Sequence, residues 1–377
     1  MRLTFRNICT KLHLWLGLLS GIVVFIVCFT GALYVFKDEI TATLEPWRFV
    51  VPRKVSVLAP SRIIPVANNA VGNDSPTAIT YGEDYDAVSV DYFCSDRSMK
   101  TVFIDPYEGT VIKKVVRQTD DFDFFRFLLD GHRRFWLPWN IGRPVVNYCV
   151  LIFFVTLLTG LVLWWPCKWT RKTVVSRFTM KPPFKGFRLN FDLHNVVGFY
   201  ALLPLVVLCF TGLIFGLSWF SRAVYFVSSG GKPLQEYRLP QSDMLQMKEA
   251  TENNLDSLYY IVKKKDPSSV NFYFALPSTP VGIYRVSVVH ERGSYYRTDN
   301  LFFDRYTLQP LQGTGPYAGK YTEVSAADRF RRMTLDIHNG RIGGIPGKIL
   351  MCFVSFVGAS LPITGFVIWV KKRHRKK

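Results

Sequence analysis

Residues 12–31 read LHLWLGLLSGIVVFIVCFTG, and residues 193–212 read LHNVVGFYALLPLVVLCFTG. Aligned without a gap, Leu12-His13 meets Leu193-His194 and Gly17 meets Gly198. Cys28-Phe29-Thr30-Gly31 meets Cys209-Phe210-Thr211-Gly212. A second pair of stretches keeps the same order. Leu129-Asp130-Gly131-His132 precedes an apolar run ending Leu158-Thr159-Gly160. Leu335-Asp336-Ile337-His338 precedes one ending Ile363-Thr364-Gly365. Each half thus brings two histidines, each beside an apolar run. Self-similarity of this kind implies an internal duplication, which bears on the whole fold. A titratable side chain at a membrane span is costly and is a functional candidate by default.

Four runs are apolar enough to cross a bilayer: 13–36, 144–165, 194–220 and 347–370. A crossing helix needs about 20 apolar residues. The first run is too long for a signal-peptide core, and Gly31-Ala32-Leu33-Tyr34 is a poor cleavage site. It is expected to be an uncleaved anchor. The chain then divides into 1–36, an outer segment 37–143, the span 144–165, a linker 166–193, the span 194–220, a second outer segment 221–346, the span 347–370 and a tail 371–377.

The formal charge is +19, and its distribution sets the orientation. Arg2, Arg6 and Lys11 precede the first span. Lys168, Arg171, Lys172, Arg177, Lys181, Lys185 and Arg188 fill the linker. Lys371, Lys372, Arg373, Arg375, Lys376 and Lys377 fill the tail. Residues 1–12, 166–190 and 371–377 contain no Asp or Glu. The positive-inside rule places all three in the cytoplasm and both long segments outside. Anionic lipid headgroups will attract the basic segments. Because the basic residues hug the spans, the charge is a topology signal, and no nucleic-acid partner is expected. Of seven cysteines, only Cys94 lies clearly in an outer segment. That excludes a disulfide framework within one outer domain, and no C-x-x-C pair is present.

Both outer segments read as α+β. In the first, Ala87–Phe93 alternates, Lys100–Asp105 follows, and the turn Pro106-Tyr107-Glu108-Gly109 leads to Thr110-Val111-Ile112, a hairpin pattern. In the second, Leu255–Lys264 has helical spacing and should stop before Asp266-Pro267. Val270–Ala275, Gly282–His290, Tyr295–Asp304 and Tyr306–Gln312 then read as strands. Segment 121–139 (DFDFFRFLLDGHRRFWLPW) is aromatic and basic, suited to a membrane surface or to the cap of a site there.

Together these residues resemble the PepSY-associated transmembrane family. The resemblance rests on K-L-H-x-x-x-G at Lys11–Gly17, D-L-H-x-x-x-G at Asp192–Gly198, F-I-D-P-Y-x-G-x-V at Phe103–Val111, the L-D-x-H motifs at His132 and His338, and the T-G-x-x-x-W endings at Thr159–Trp164 and Thr364–Trp369. The second outer segment departs from it, with Asp304-Arg305-Tyr306-Thr307 where the D-P-Y-x-G turn would stand. The resemblance implies an α-helical membrane protein, a four-helix transmembrane bundle from an internal duplication, with two PepSY-like extracytoplasmic domains in a bacterial inner membrane. It also implies iron-regulated proteins and ferric-siderophore reductases that hold b-type haem between their helices. Some relatives carry a fused flavoprotein domain; this chain ends seven residues beyond Val370, so its electron donor is expected to be a separate cytoplasmic or membrane partner.

The histidines suit that chemistry in their own right. Bis-histidine iron is suited to electron transfer, and each site needs one histidine from each of two helices. His13 and His194 would form an inner pair, His132 and His338 an outer pair, and two haem b groups a two-step path. Haem propionates want cations: Arg133, Arg134 and Arg341 flank the outer pair, Lys11 and Arg188 the inner pair. A ferric acceptor would dock beside Arg133, Arg134, Trp136 and Trp139. Gly17 and Gly21, and Gly212 and Gly216, are spaced for close approach of helices or a flat macrocycle. His290 and His374 read as ordinary polar residues. The leading expectation is a haem-dependent oxidoreductase that reduces an external ferric siderophore for iron uptake. Two other readings remain: a siderophore or iron transporter, although acidic residues are absent from the four apolar runs, and a non-redox regulator of a periplasmic peptidase.

Overall fold

The computed structural model describes residues 4–72, 74–94, 98–182, 184–249 and 254–374. Arg2, Arg375, Lys376 and Lys377 of the charge argument lie outside the described residues. The chain forms two compact units. The first comprises Met1–Lys37, Asp123–Val224 and Thr334–Lys377; the second comprises Asp38–Phe122 and Tyr225–Met333.

Among the described residues, four helices in the first unit are long and apolar enough to cross a membrane: Phe5–Tyr34, Trp139–Trp164, Gly186–Gly216 and Arg341–His374. Each starts before its apolar run, because a helix satisfies its own backbone whether or not its side chains are apolar. The Thr4 hydroxyl caps the first by accepting from the Asn7 N–H at 3.4 Å. The earlier start of the third span brings Asp192 onto it, where the carboxylate is buried and accepts from Arg188 Nε at 2.9 Å. Acidic residues are therefore not wholly absent from the spans.

Val24, Phe153, Leu205 and Leu361, one from each span, share the bundle core. Small residues set the approach. A Cβ on Gly198 would stand 3.0 Å from Leu361, and one on Gly21 would stand 3.3 Å from Pro362. Two shorter helices, Phe124–Arg134 and Ala326–His338, precede the second and fourth spans and carry the outer histidines in their last turns. The first is capped by Asp123, whose carboxylate accepts the Arg126 N–H at 2.9 Å. This helix lies inside the stretch read from sequence as an aromatic surface segment.

Among the described residues, the second unit holds eight strands: β1 (Ala78–Tyr81), β2 (Val88–Phe93), β3 (Met99–Ile104), β4 (Val111–Arg117), β5 (Asn271–Ala275), β6 (Ile283–Val289), β7 (Thr298–Asp304) and β8 (Pro310–Leu311). They form one sheet in the order β4-β3-β2-β1-β5-β6-β7-β8. The two outer segments, read from sequence as two domains, are joined here: β1 pairs antiparallel with β5, from Ala78 opposite Ala275 to Tyr81 opposite Phe272. The physical reason is the edge. A four-stranded half would leave β1 or β5 with unpaired backbone groups, and pairing removes both edges. Helices Pro60–Val71 and Asn254–Lys265 share one core with strands of both halves, through Ile63, Ala67, Leu258 and Val262. Tyr306–Gln312, expected as a strand, is mostly a turn. Asp304 accepts the N–H groups of Tyr306 and Thr307 at 2.8 and 3.0 Å. Asp105 does the same for Tyr107 and Glu108 at 2.8 and 3.2 Å. The altered sequence thus keeps the turn's hydrogen bonds.

Candidate functional site: two histidine pairs

His13 sits more than two turns into the first span. Its Nδ1 donates to the Thr156 carbonyl at 3.0 Å and approaches the Thr159 hydroxyl at 3.3 Å, both on the second span. His194 sits in a π-helical turn, Leu193–Val197, that interrupts the third span. Such turns concentrate at functional sites. Its Nδ1 meets the Thr364 hydroxyl of the fourth span at 2.9 Å. The His13 and His194 rings meet edge to face, with centroids 6.2 Å apart at 85°.

The outer pair is built on the other helices. His132 Nδ1 donates to the Val27 carbonyl of the first span at 2.8 Å. His338 Nδ1 meets the Thr211 hydroxyl of the third span at 2.8 Å. These two rings lie 6.1 Å apart, at 60°. From His13 to Val27 the first span rises roughly 21 Å at about 1.5 Å per residue, which separates the two pairs along the bundle.

A carbonyl only accepts, so His13 and His132 carry their proton on Nδ1. At the other two, the Thr364 and Thr211 hydroxyls already donate to Ser360 and Val207 carbonyls of their own helices, at 2.9 and 2.7 Å. They accept from the imidazoles, and His194 and His338 are Nδ1–H tautomers as well. No Nε2 of the four makes a hydrogen bond among the described residues, and all four rings are half-buried. Metal-ligating histidines commonly donate through their other ring nitrogen, and these four have that form. Two imidazoles sharing a metal from opposite sides have ring centres about 6 Å apart, for a metal–nitrogen bond of about 2 Å. Both observed separations fit that arrangement.

The surrounding cations divide. Arg134 makes a bidentate pair with Asp130 on its own helix, Nε to Oδ1 at 2.9 Å and Nη2 to Oδ2 at 2.6 Å. This bonding holds the Asp130 carboxyl below the usual carboxylate range. Arg188 is engaged with Asp192. Arg133 lies 4.8 Å over the Trp139 ring, and Arg143 lies 5.2 Å from the same ring. The Arg341 backbone N–H donates to Asn339 Oδ1 at 3.1 Å. Lys11 is exposed. Trp136 stacks on Phe127 at 4.9 Å and donates from Nε1 to the Phe127 carbonyl at 2.8 Å. Trp136 and Trp139 are both exposed, and Trp136 lays one face on the helix Phe124–Arg134.

His290 belongs to a different cluster, in the second unit, with Asp266 and Asp299. Its Nε2 is within 2.9 Å of Asp299 Oδ2, and its Nδ1 within 3.3 Å of the Ser269 hydroxyl. With both nitrogens engaged, it is a satisfied polar group. Sequence reasoning missed the partners of the histidines in the bundle. The signal was present: all four apolar runs carry a Thr-Gly dipeptide, and each supplies a helix surface that receives one imidazole.

Four apolar helices of crossing length, with paired imidazoles between them, define a helical multi-pass membrane protein. The chain belongs to the family of the PepSY-associated TM region, which matches residues 10–372. A search of curated proteins finds no match.

Proposed function

We propose that this chain is a haem-b membrane oxidoreductase, arisen by internal duplication, that passes electrons across a bacterial inner membrane to an external ferric complex, a ferric siderophore in the leading case. The observation that carries the reading is the recurrence of one arrangement at two levels of the bundle: facing imidazoles about 6 Å apart, each held through Nδ1 with Nε2 free. Haem would be held by His13 with His194 and by His132 with His338. When bound, it supplies one-electron chemistry, which the side chains present here do not. The chain's own part is to space the two sites, fix the tautomers and exclude water with apolar helices. Both termini and the basic linker would lie in the cytoplasm, with both outer segments in the periplasm. Arg133 and Lys11 would serve the propionates, since Arg134 and Arg188 are held by carboxylates. Arg133, Trp136 and Trp139 would form the exposed patch for the acceptor, with Arg134 held by Asp130 beside it. Electrons would enter from the cytoplasmic side, from a cytoplasmic or membrane donor.

Purified protein from haem-replete cells should show a Soret band and a sharp reduced α-band, with two haems per chain. Ferric siderophore should reoxidise dithionite-reduced protein. His132→Ala or His338→Ala should block that reoxidation while the inner site remains reducible. Unchanged reoxidation in both variants would remove the outer pair from the reaction and return the transporter and regulator readings.

A further inference from the structure

Each Thr-Gly dipeptide of the bundle is met at its glycine by one histidine. A Cβ built on Gly31 would lie 2.8 Å from the His132 ring, on Gly160 3.0 Å from His13, on Gly365 3.2 Å from His194, and on Gly212 3.5 Å from His338. In every case the nearest atom is Cε1, the ring carbon between the two nitrogens. Each threonine hydroxyl, moreover, gives its only proton to its own helix. Thr30 donates to Ile26, Thr159 to Thr156, Thr211 to Val207 and Thr364 to Ser360, at 2.6–2.9 Å. The oxygen that remains is an obligate acceptor.

We propose that these four dipeptides are a repeated positioning device. The glycine lets an imidazole edge lie against helix backbone. The threonine oxygen at three of the four, and the carbonyl about one turn earlier at the fourth, holds Nδ1–H and so leaves the Nε2 lone pair directed away from that helix. The proposal rests on the reading of the pairs as haem ligands. Thr back-bonding and Gly contacts are common wherever membrane helices pack closely. Close packing alone does not place the same ring atom on all four glycines, nor turn the same nitrogen toward the same helix.

The device carries its own control. Three hydroxyls approach their imidazole: Thr211 at 2.8 Å, Thr364 at 2.9 Å and Thr159 at 3.3 Å. At the fourth, His132 donates to the Val27 carbonyl. Thr→Val keeps the shape and deletes the acceptor, so its effect should follow this difference. The outcome matters because hydrogen bonding at Nδ1 sets ligand basicity, and with it metal affinity and potential.

The test uses the full chain, labelled with 15N-histidine, in detergent. Ring-nitrogen shifts report the tautomer without any cofactor, and redox titration of the haem-loaded protein reports the two potentials. Thr364→Val should turn the His194 signal from one tautomer into a mixture and move only the inner potential, upward. Thr211→Val should do the same to His338 and the outer potential. Thr→Ser at either position should restore both, and Thr30→Val should leave His132 unchanged. Gly31→Ala should disturb His132 with every hydroxyl in place. The proposal fails if Thr211→Val and Thr364→Val match wild type, or if Thr30→Val acts as strongly as Thr211→Val. Wild-type protein that lacks a Soret band yet shows these tautomer effects would support the positioning device and overturn only the haem reading.

Discussion

After His132 the chain turns through Phe135 and Trp136, both left-handed, at φ 54° and 56°. After His338 it turns through Gly340 and Gly344, at φ 78° and 61°. The two turns follow equivalent histidines and lead into equivalent spans. Glycine takes up a left-handed conformation freely, whereas another residue loses about 1–2 kcal/mol there. The first half must therefore hold its turn with side chains. Trp136 does this by stacking on Phe127 and donating to its carbonyl. The indole lies where a Cβ on residue 131 would stand, 2.7 Å from Cε2. This accounts for a difference between the motifs: Gly131 stands in Leu-Asp-Gly-His where the second half has Ile337. One half uses backbone freedom at its turn, and the other an aromatic lock whose cost is a glycine inside a helix.

The largest effects would test whether the halves pair at all. His13→Ala and His194→Ala should each abolish the same spectral component, and His132→Ala and His338→Ala should each abolish the other. The haem proposed for each pair would lose its site when either imidazole is removed. If His13→Ala and His194→Ala removed different components, the halves would not be building shared sites, and the comparison would fail at its root.

The lock itself is open to a smaller test. Gly131→Ala should destabilise the protein by about 1–3 kcal/mol, the usual range for overpacking a filled site. Ile337→Ala, at the equivalent but half-buried position, should lose about 1 kcal/mol of apolar burial. Trp136→Ala should rescue Gly131→Ala in part, because residues in contact do not add independently. Thermal unfolding of the single and double variants in detergent measures the coupling. Strict additivity would mean that the indole does not depend on Gly131.

Much of this arrangement was legible in the chain. Apolar length gave the four spans, and the repeat gave the four histidines and their pairing by level. β2, β3, β5 and β6 were visible in runs of β-formers, and the helix Asn254–Lys265 in its spacing. β1 was not, because Ala78-Ile79-Thr80-Tyr81 is short and almost wholly buried, so it shows little alternation. Missing β1 hid the joined sheet, since β1 forms the junction. The Thr-Gly dipeptides were seen only as alignment marks. Their contacts run between helices, and periodicity along one helix carries no information about its neighbour. Ion pairs such as Arg134 with Asp130 are local, at i and i+4 spacing, and the sequence could have yielded them.

The smallest expected effect lies in the second unit, where the halves differ again at one turn. Gly109 has φ 71°, and Leu308 takes the equivalent place at φ 57°. Both donate backwards to the turn aspartate, Gly109 N–H to the Asp105 carbonyl at 2.9 Å and Leu308 N–H to the Asp304 carbonyl at 3.0 Å. The backbone shape is shared, so opposite substitutions probe one strain from two sides. Gly109→Ala adds a Cβ in a left-handed residue, 3.1 Å from Leu58 Cδ1, and should cost about 1–2 kcal/mol. Leu308→Gly relieves the same strain but removes a half-buried side chain that packs on the sheet core. Those two effects are each about 1 kcal/mol and opposed, so the net change should fall within about 1 kcal/mol of zero. Hydrogen exchange of the sheet amides in the intact protein compares them. A clear gain from Leu308→Gly would show that backbone strain outweighs packing at this turn. A loss as large as that of Gly109→Ala would show that the second half holds its turn by the leucine side chain, as the first half of the bundle holds its own by Trp136.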